Sequence, residues 1–319
     1  MDSMNKLIDV VYPIGSGSGW KNNELRFSLR ALEKYGVNVG QIFIVGILPD
    51  FLASSIINLL VKDTYNPSVN ADGNIIHKVL YACEDKRLSE DFLFINDDHI
   101  LLRSTDLMDI PNFHKGDMNL YPDSYWGDNY WRKRLKRTRE ILDFNDLPAN
   151  HYDCHTPIML NKSKFREAMK KFNYQEGGGF TMKSLYGNSV CATNNQLLRN
   201  EKKTVFTGLS GPQLEARLSD SQFLAFNDQG LNESLKIWLY KRFPNSSEWE
   251  INEFEDRNVE IIRWMESGKN YLKGVKLFEK YYKNVNLIHL FKSGESDYLR
   301  KKLEYKLVNS MSEQWKNVQ

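Results

Sequence analysis

The chain has 319 residues, of which 41% are hydrophobic, 13% aromatic and 26% charged, with a net charge of +2. This composition describes a globular protein and excludes a disordered chain or a global polyelectrolyte. The three cysteines, Cys83, Cys154 and Cys191, lie far apart without a C-x-x-C pair, which argues against a disulfide scaffold or a cysteine zinc site and fits a reducing compartment. No apolar run approaches the ~18 residues of a membrane span, and Lys6 to Ile14 is too short and is broken by Asp9. No signal peptide and no stable membrane insertion are therefore expected.

Leu7 to Tyr12 reads as a buried strand, running into the Gly/Ser-rich loop Pro13 to Trp20. Such a loop lets backbone N–H groups approach a ligand. It matches neither the dinucleotide fingerprint nor the P-loop, and a mobile loop explains it equally well. Asn22 to Tyr35 has Leu25, Leu29 and Leu32 at helical spacing and Gly36 as a stop. Arg26 and Arg30 share a face of this helix, which is expected to be solvated, with phosphate contact as the alternative. Gln41 to Gly46 is a second buried strand, and strand–helix–strand implies a parallel pair. A helix at about Asp50 to Leu60 and a short strand ending at Val61–Lys62–Asp63 follow. Residues 66 to 74 read as a loop and Asn74 to Arg87 as a helix with Ile75, Val79 and Ala82 inward. The first hundred residues thus alternate β and α, the layout of a nucleotide-binding α/β half-domain.

The fourth strand, within Asp91 to Leu102, is the centre of the reading. Phe92 to Asn96 is a continuous apolar run ending in Asn96, and Asp97, Asp98 and His99 then arrive together. Adjacent carboxylates leaving a core need a partner, because burying unpaired charge is costly. A divalent cation at the carboxyl end of a strand meets that need. On a pleated strand Asn96 and Asp98 point one way and Asp97 and His99 the other; a turn after Asn96 presents Asp97 with Asp98 instead. His99 or His155 completes the shell, and histidine biases the choice toward Mn²⁺ over Mg²⁺.

Asp106 to Trp131 is an aromatic loop with Tyr121, Tyr125, Trp126, Tyr130 and Trp131, suited either to stacking on sugar or base rings or to packing against the body. Residues 131 to 140 carry six Lys and Arg side chains, a solvated helix or a phosphate-tracking one. His151, Asp153 and His155 fall in five residues beside the apolar Ile158–Met159–Leu160. Gly177 to Gly179 is a hinge or loop, Phe180 to Tyr186 a helix, Phe223 to Phe226 an apolar run followed by the turn Asp228 to Gly230, and Glu233 to Arg242 a helix. Residues 257 to 319 carry thirteen Lys and Arg against seven Asp and Glu, and are expected to be a basic helical region.

The sequence N-N-E-L-R-F-S-L-R-A-L-E-K-Y at 22–35, Q-I-F-I-V-G at 41–46 and D-F-L-F-I-N-D-D-H at 91–99 resembles the GT-A-fold glycosyltransferases. More narrowly, it is similar to Stealth-type sugar-phosphate transferases, which share an E-L-R-x-S-L-R helix and an N-D-D strand end. It also looks like phage-borne glycosyltransferases with F-L-F-x-N-D-D-H and a later histidine before Thr-Pro, here His155-Thr156-Pro157. The resemblance covers about residues 7 to 160 and 219 to 244. It implies an α/β, GT-A-like fold: a Rossmann-like, mostly parallel sheet flanked by helices. The catalytic domain is expected at 1–256, with a nucleotide-sugar half to about 105 and an acceptor half from about 106, followed by the C-terminal helical region.

The implied activity is metal-dependent transfer of a hexose or pentose from a nucleotide-sugar donor. The implied cation, Mn²⁺ or Mg²⁺, lies at Asp97 and Asp98 with His99 and His155 near it. Donor contacts are expected from Tyr12 and Gly15 where the first strand meets its loop, from Asp63, Lys78 and also Asp97. If the transfer inverts, Asp153, Glu176 and Asp220 are the candidate bases. The acceptor is an anionic one, either modified DNA such as a hydroxymethylated pyrimidine, or a surface polysaccharide. The location is cytoplasmic, the host cytoplasm if phage-encoded. Other Stealth blocks have no counterpart here, which favours ordinary glycosyl transfer over sugar-phosphate transfer. The alternatives are a metal-dependent phosphotransferase or hydrolase using the same acids, and a non-catalytic binding module.

Overall fold

The computed structural model describes residues 6–190 and 192–251; the expected helical region at 257–319 lies outside them. In chain order the elements are β1 (Ile8–Ile14), α1 (Asn23–Tyr35), β2 (Gly36–Val37), β3 (Val39–Gly46), β4 (Ile57–Leu60), α2 (Pro67–Ala82), β5 (Asp91–Phe94), β6 (His99–Leu101), β7 (Thr105–Asp106) and β8 (Asn112–His114). There follow α3 (Tyr130–Phe144), β9 (Ile158–Asn161), α4 (Lys162–Lys171), α5 (Met182–Ser189), β10 (Asn195–Leu197), β11 (Lys202–Val205), α6 (Gly211–Leu218), β12 (Phe223–Phe226) and α7 (Glu233–Arg242).

The main sheet has the order β4-β3-β1-β5-β9. The first four strands are parallel and β9 runs antiparallel to β5. The expected α/β class with a mostly parallel sheet holds. Its central strands β1, β3 and β5 carry continuous apolar runs because both faces are covered there. Val10, Tyr12, Ile14, Ile42, Ile44 and Leu93 face a core shared with α1, α6 and α7. Val11, Phe43, Val45, Phe92 and Phe94 face a second core built with α2, α3, α4 and α5. A smaller sheet, β11-β12-β6, joins the first core; β12 is parallel to β11 and antiparallel to β6.

Three local expectations change. Residues 50–60 are not a helix: Ile57–Leu60 is β4, paired with β3 from Phe43↔Ile57 to Gly46↔Leu60, because an open sheet edge satisfies this short apolar run better than two isolated helical turns. The expected loop at 66–74 is helical from Pro67. Asn66 Oδ1 accepts the Ser68 N–H at 3.0 Å and Pro67 occupies the first turn, a cap signal that outweighs the polar composition. The polar residues are absorbed by a kink at Asn70 and by Asn74, whose amide oxygen accepts from the N–H groups of Thr64 and Tyr65.

Finally, Arg26 and Arg30 are not solvated. Both are buried against Glu250, with Arg26 Nη1 at 2.9 Å and Arg30 Nε and Nη2 at 2.9 Å from its carboxylate. This network fastens α1 to the end of the described chain. Among the described residues no helix is long and apolar enough to cross a membrane.

Candidate active site

The chain leaves β1 toward β3 on one side, and β5 then adds on the other side of β1. The carboxyl ends of β1 and β5 therefore border a topological switch point, where open α/β sheets leave a crevice. A cleft of about 340 Å³ lies there. Its walls come from the loop after β1 (Gly15, Gly17, Ser18), the first turn of α1 (Glu24), the turn after β5 (Asp97, Asp98), His155, and the end of β12 with its turn (Phe226 to Asp228).

β5 ends at Phe94, and a turn presents Asp97 and Asp98 together before β6 starts at His99. Of the two orientations open at the sequence level, the turned one is found. Asp97 is half-buried, and its carboxyl is pushed up to about 8, by burial first and then by the charges of Asp98 and Glu24. Glu24, 6% exposed, is likewise raised by burial and then by Asp228 and Asp98. Ser18 Oγ donates to the Glu24 carboxylate at 2.8 Å and accepts the N–H groups of Trp20 and Asn22, so the glycine-rich loop and the acid fix one another. Among the described residues no lysine or arginine lines the cleft.

Two imidazoles flank Asp98. His99 Nε2 is 3.6 Å from Asp98 Oδ1, and His155 Nδ1 is 3.8 Å from Asp98 Oδ2. One donor atom from each of the three residues falls within 4.8 Å of the others. His99 is fully buried and neutral: burial, followed by the charges of Lys183, His155 and Lys202, holds it well below the imidazole range. Among the described residues its Nε2 has no hydrogen-bond partner, the kind of orphaned buried atom a ligand satisfies. Its Nδ1 accepts the Asn96 N–H at a long 3.4 Å, which places the ring proton on Nε2. A cation at Nε2 requires the other tautomer and the loss of that weak contact. His155 reaches the cleft from a left-handed backbone conformation, φ 52°, a strained geometry for a residue other than glycine. Oxygen and imidazole donors around uncompensated carboxylates fit a divalent cation.

The positions expected from sequence fall into three groups. Asp97, Asp98, His99 and His155 converge as described. Gly15, Asp63 and Lys78 form a neighbouring group: Lys78 Nζ pairs with Asp63, Ser16 Oγ donates to Asp63 at 3.3 Å, and a Cβ on Gly15 would stand 3.8 Å from both Asp63 Oδ2 and Lys78 Nζ. The others lie outside the cleft. Tyr12 is fully buried; Ser28 Oγ donates to the His99 carbonyl at 2.7 Å, so the Tyr12 hydroxyl, 3.0 Å from Ser28, donates to it. Asp153 accepts from Ser184 Oγ, and Glu176 and Asp220 are exposed. None of these three acids lines the cavity.

Glu24 and Asp228 do line it and were missed. Glu24 sits inside the E-L-R-x-S-L-R helix, whose charges the fold separates: Glu24 to the cleft, Ser28 to Tyr12 and His99, Arg26 and Arg30 to Glu250. Of the aromatic loop, Tyr121, Tyr125, Trp126 and Trp131 pack against the second core, and Tyr130 is exposed. Tyr121 and Tyr125 rings are 4.5 Å apart and the Tyr121 hydroxyl is 2.8 Å from His151 Nδ1.

No protein-family model matches the sequence, and no curated protein matches it. Among solved structures the chain is similar to the galactosyltransferase LgtC in complex with donor and acceptor sugar analogs, with a TM-score of 0.42 and 11% identity, over 77% of this chain and 98% of that one.

Proposed function

We propose that the chain is a metal-dependent glycosyltransferase that binds a nucleotide-sugar donor at this cleft. The observation that supports it most is the cleft's charge. Glu24, Asp97, Asp98 and Asp228 meet two imidazoles at the switch point of a parallel sheet, without a lysine or arginine among the described residues that line it. An anionic donor enters such a site only with a cation. Asp98, His155 and His99 would hold Mn²⁺ or Mg²⁺, with Asp97 beside them; the bound ion supplies charge neutralisation for a departing diphosphate.

Gly15 leaves room for the donor next to Asp63 and Lys78, which would contact its nucleoside and phosphates. Ser18 holds Glu24 in the cleft wall. If transfer inverts, Glu24 or Asp228 takes the acceptor proton, since these carboxylates line the cavity. The acceptor is a glycan. Of the six cations of α3 only Lys133 and Lys136 are exposed; Arg134 is buried on Asp72, and Arg132, Arg137 and Arg139 lie over the rings of Tyr125, Phe180 and Trp126, which leaves a short track for DNA.

The test is a thermal-shift panel of nucleoside diphosphates and nucleotide sugars with and without Mn²⁺, because a ligand of the native state raises the midpoint by mass action. A shift that needs both Mn²⁺ and one nucleobase is expected, followed by slow donor hydrolysis detectable by mass spectrometry. No shift with any nucleotide at several times ~1 mM would overturn the proposal.

A further inference from the structure

The turn that projects His155 is surrounded by lysines. Lys115 Nζ donates to the Asp153 carbonyl at 2.9 Å, and the buried Lys183 Nζ donates to the Thr156 carbonyl at 2.6 Å. A third cation, Lys202, begins β11. The register Lys202↔Phe223↔Leu101, with Thr204↔Ala225↔His99 two residues on, puts Lys202 and His99 on the same face of the small sheet. The Phe113–Phe223 ring contact, 6.0 Å between centroids, brings the strand that leads to Lys115 against this position.

Lys202 is half-buried, and its ammonium has no hydrogen-bond or ion-pair partner among the described residues. Lys115 and Lys183 spend one hydrogen bond each on a carbonyl, and an ammonium has three to give. Burial first, then the nearby Lys115 charge, hold Lys202 down to about 8, so it is still a cation at neutral pH.

We infer that Lys202 and Lys115 form an anion subsite beside the cation site, and that it takes a phosphate or carboxylate group of an acidic glycan acceptor. The assignment to the acceptor rests on the glycosyl-transfer reading above. It follows from which side of the centre each lysine serves. Lys78 and Asp63 adjoin Gly15 beyond β1, whereas the charge of Lys202 acts on Asp98, His99 and His151 on the β6 side. An acceptor carrying its acid there is held on the side of the centre away from Lys78 and Asp63.

The test is a calorimetric titration of the full chain with inorganic phosphate in the presence of EDTA, so that no metal carries the anion. Binding near ~1 mM is expected. Lys202→Met should weaken it about tenfold or more, the value of one charge-assisted hydrogen bond, and Lys202→Arg should retain it. In Mn²⁺, the affinity of Lys202→Met for the nucleoside diphosphate that the wild type binds should not fall. No phosphate binding by wild type, or equal binding by a folded Lys202→Met, would overturn the subsite. Weaker nucleoside diphosphate binding in Lys202→Met would give Lys202 to the donor and overturn the acceptor assignment. A wild type that binds phosphate but no nucleoside diphosphate would sink the glycosyl-transfer reading, and with it the acceptor, while leaving the anion subsite standing.

Discussion

Glu250→Ala tests how α1, and with it the cleft wall, is held. Glu250 accepts three guanidinium hydrogen bonds of 2.9 Å, one from Arg26 and two from Arg30, and two more from the N–H and Oγ of Ser247. The side chains of Glu250, Arg26 and Arg30 are 0–1% exposed. Removing the carboxylate strands two buried guanidinium ions. Breaking one partner of a buried pair costs about 3–5 kcal/mol, and in a domain of this size each kcal/mol moves the midpoint by roughly 2–4 °C. A fall of about 6–20 °C in Tm is expected by calorimetry or circular dichroism. Glu33→Ala, removing an exposed acid that among the described residues accepts only the Glu248 N–H, is the control and should cost under about 1 kcal/mol. A Glu250→Ala protein that melts within 2 °C of wild type, on the ~2–4 °C scale above, would refute the reasoning. Since Glu24 and Ser28 alternate with Arg26 and Arg30 on α1, the same variant should also weaken metal-dependent nucleotide binding.

Gly46→Ala should cost about 3 kcal/mol in urea unfolding, because Gly46 has φ +126° and a Cβ there would lie 2.1 Å from the Ile14 carbonyl oxygen and 2.8 Å from Lys78 Cε. Acid should destabilise the fold through His151, whose burial holds it down to about 4. The unfolded chain then binds the extra proton between pH 6.5 and 4, so this stability is complete above 6.5 and lost as pH falls toward 4. The loss is about 3 kcal/mol, and it should shrink in a folded His151→Gln. Mn²⁺ binding should release protons and tighten between pH 6 and 8, because Asp97 is pushed up to about 8 without the ion and a cation beside it favours the ionised carboxylate. Calorimetry in buffers of different ionisation enthalpy reads that release; pH-independent binding would contradict it.

The fold was legible where a run of apolar residues met a buried sheet. β1, β3 and β5 stood out because Val10–Val11, Ile42–Val45 and Phe92–Phe94 are covered on both faces, and no polar alternation interrupts them. β4 was not, since Ile57–Leu60 is too short to choose its own state and takes it from the β3 edge. The Asp97–Asp98 pair was legible because adjacent acids after a buried strand are costly without a partner. Glu24 was not, because an acid in the first turn of a helix is ordinary helix chemistry; only the fold of the Ser18 loop turns it into the cleft. Arg26 and Arg30 were misread for a similar reason. Their partner, Glu250, is more than two hundred residues away, and no local pattern announces it.

The most direct measurement is a Mn²⁺ titration followed by the electron paramagnetic resonance of the free ion, with and without nucleoside diphosphate, in wild type and Asp98→Asn. The account predicts one Mn²⁺ per chain, tightened by the nucleotide, and an affinity at least ~100-fold weaker in a folded Asp98→Asn, beyond what loss of an outer-shell partner costs. Mn²⁺ binding that is absent, or that survives Asp98→Asn unchanged, would contradict it.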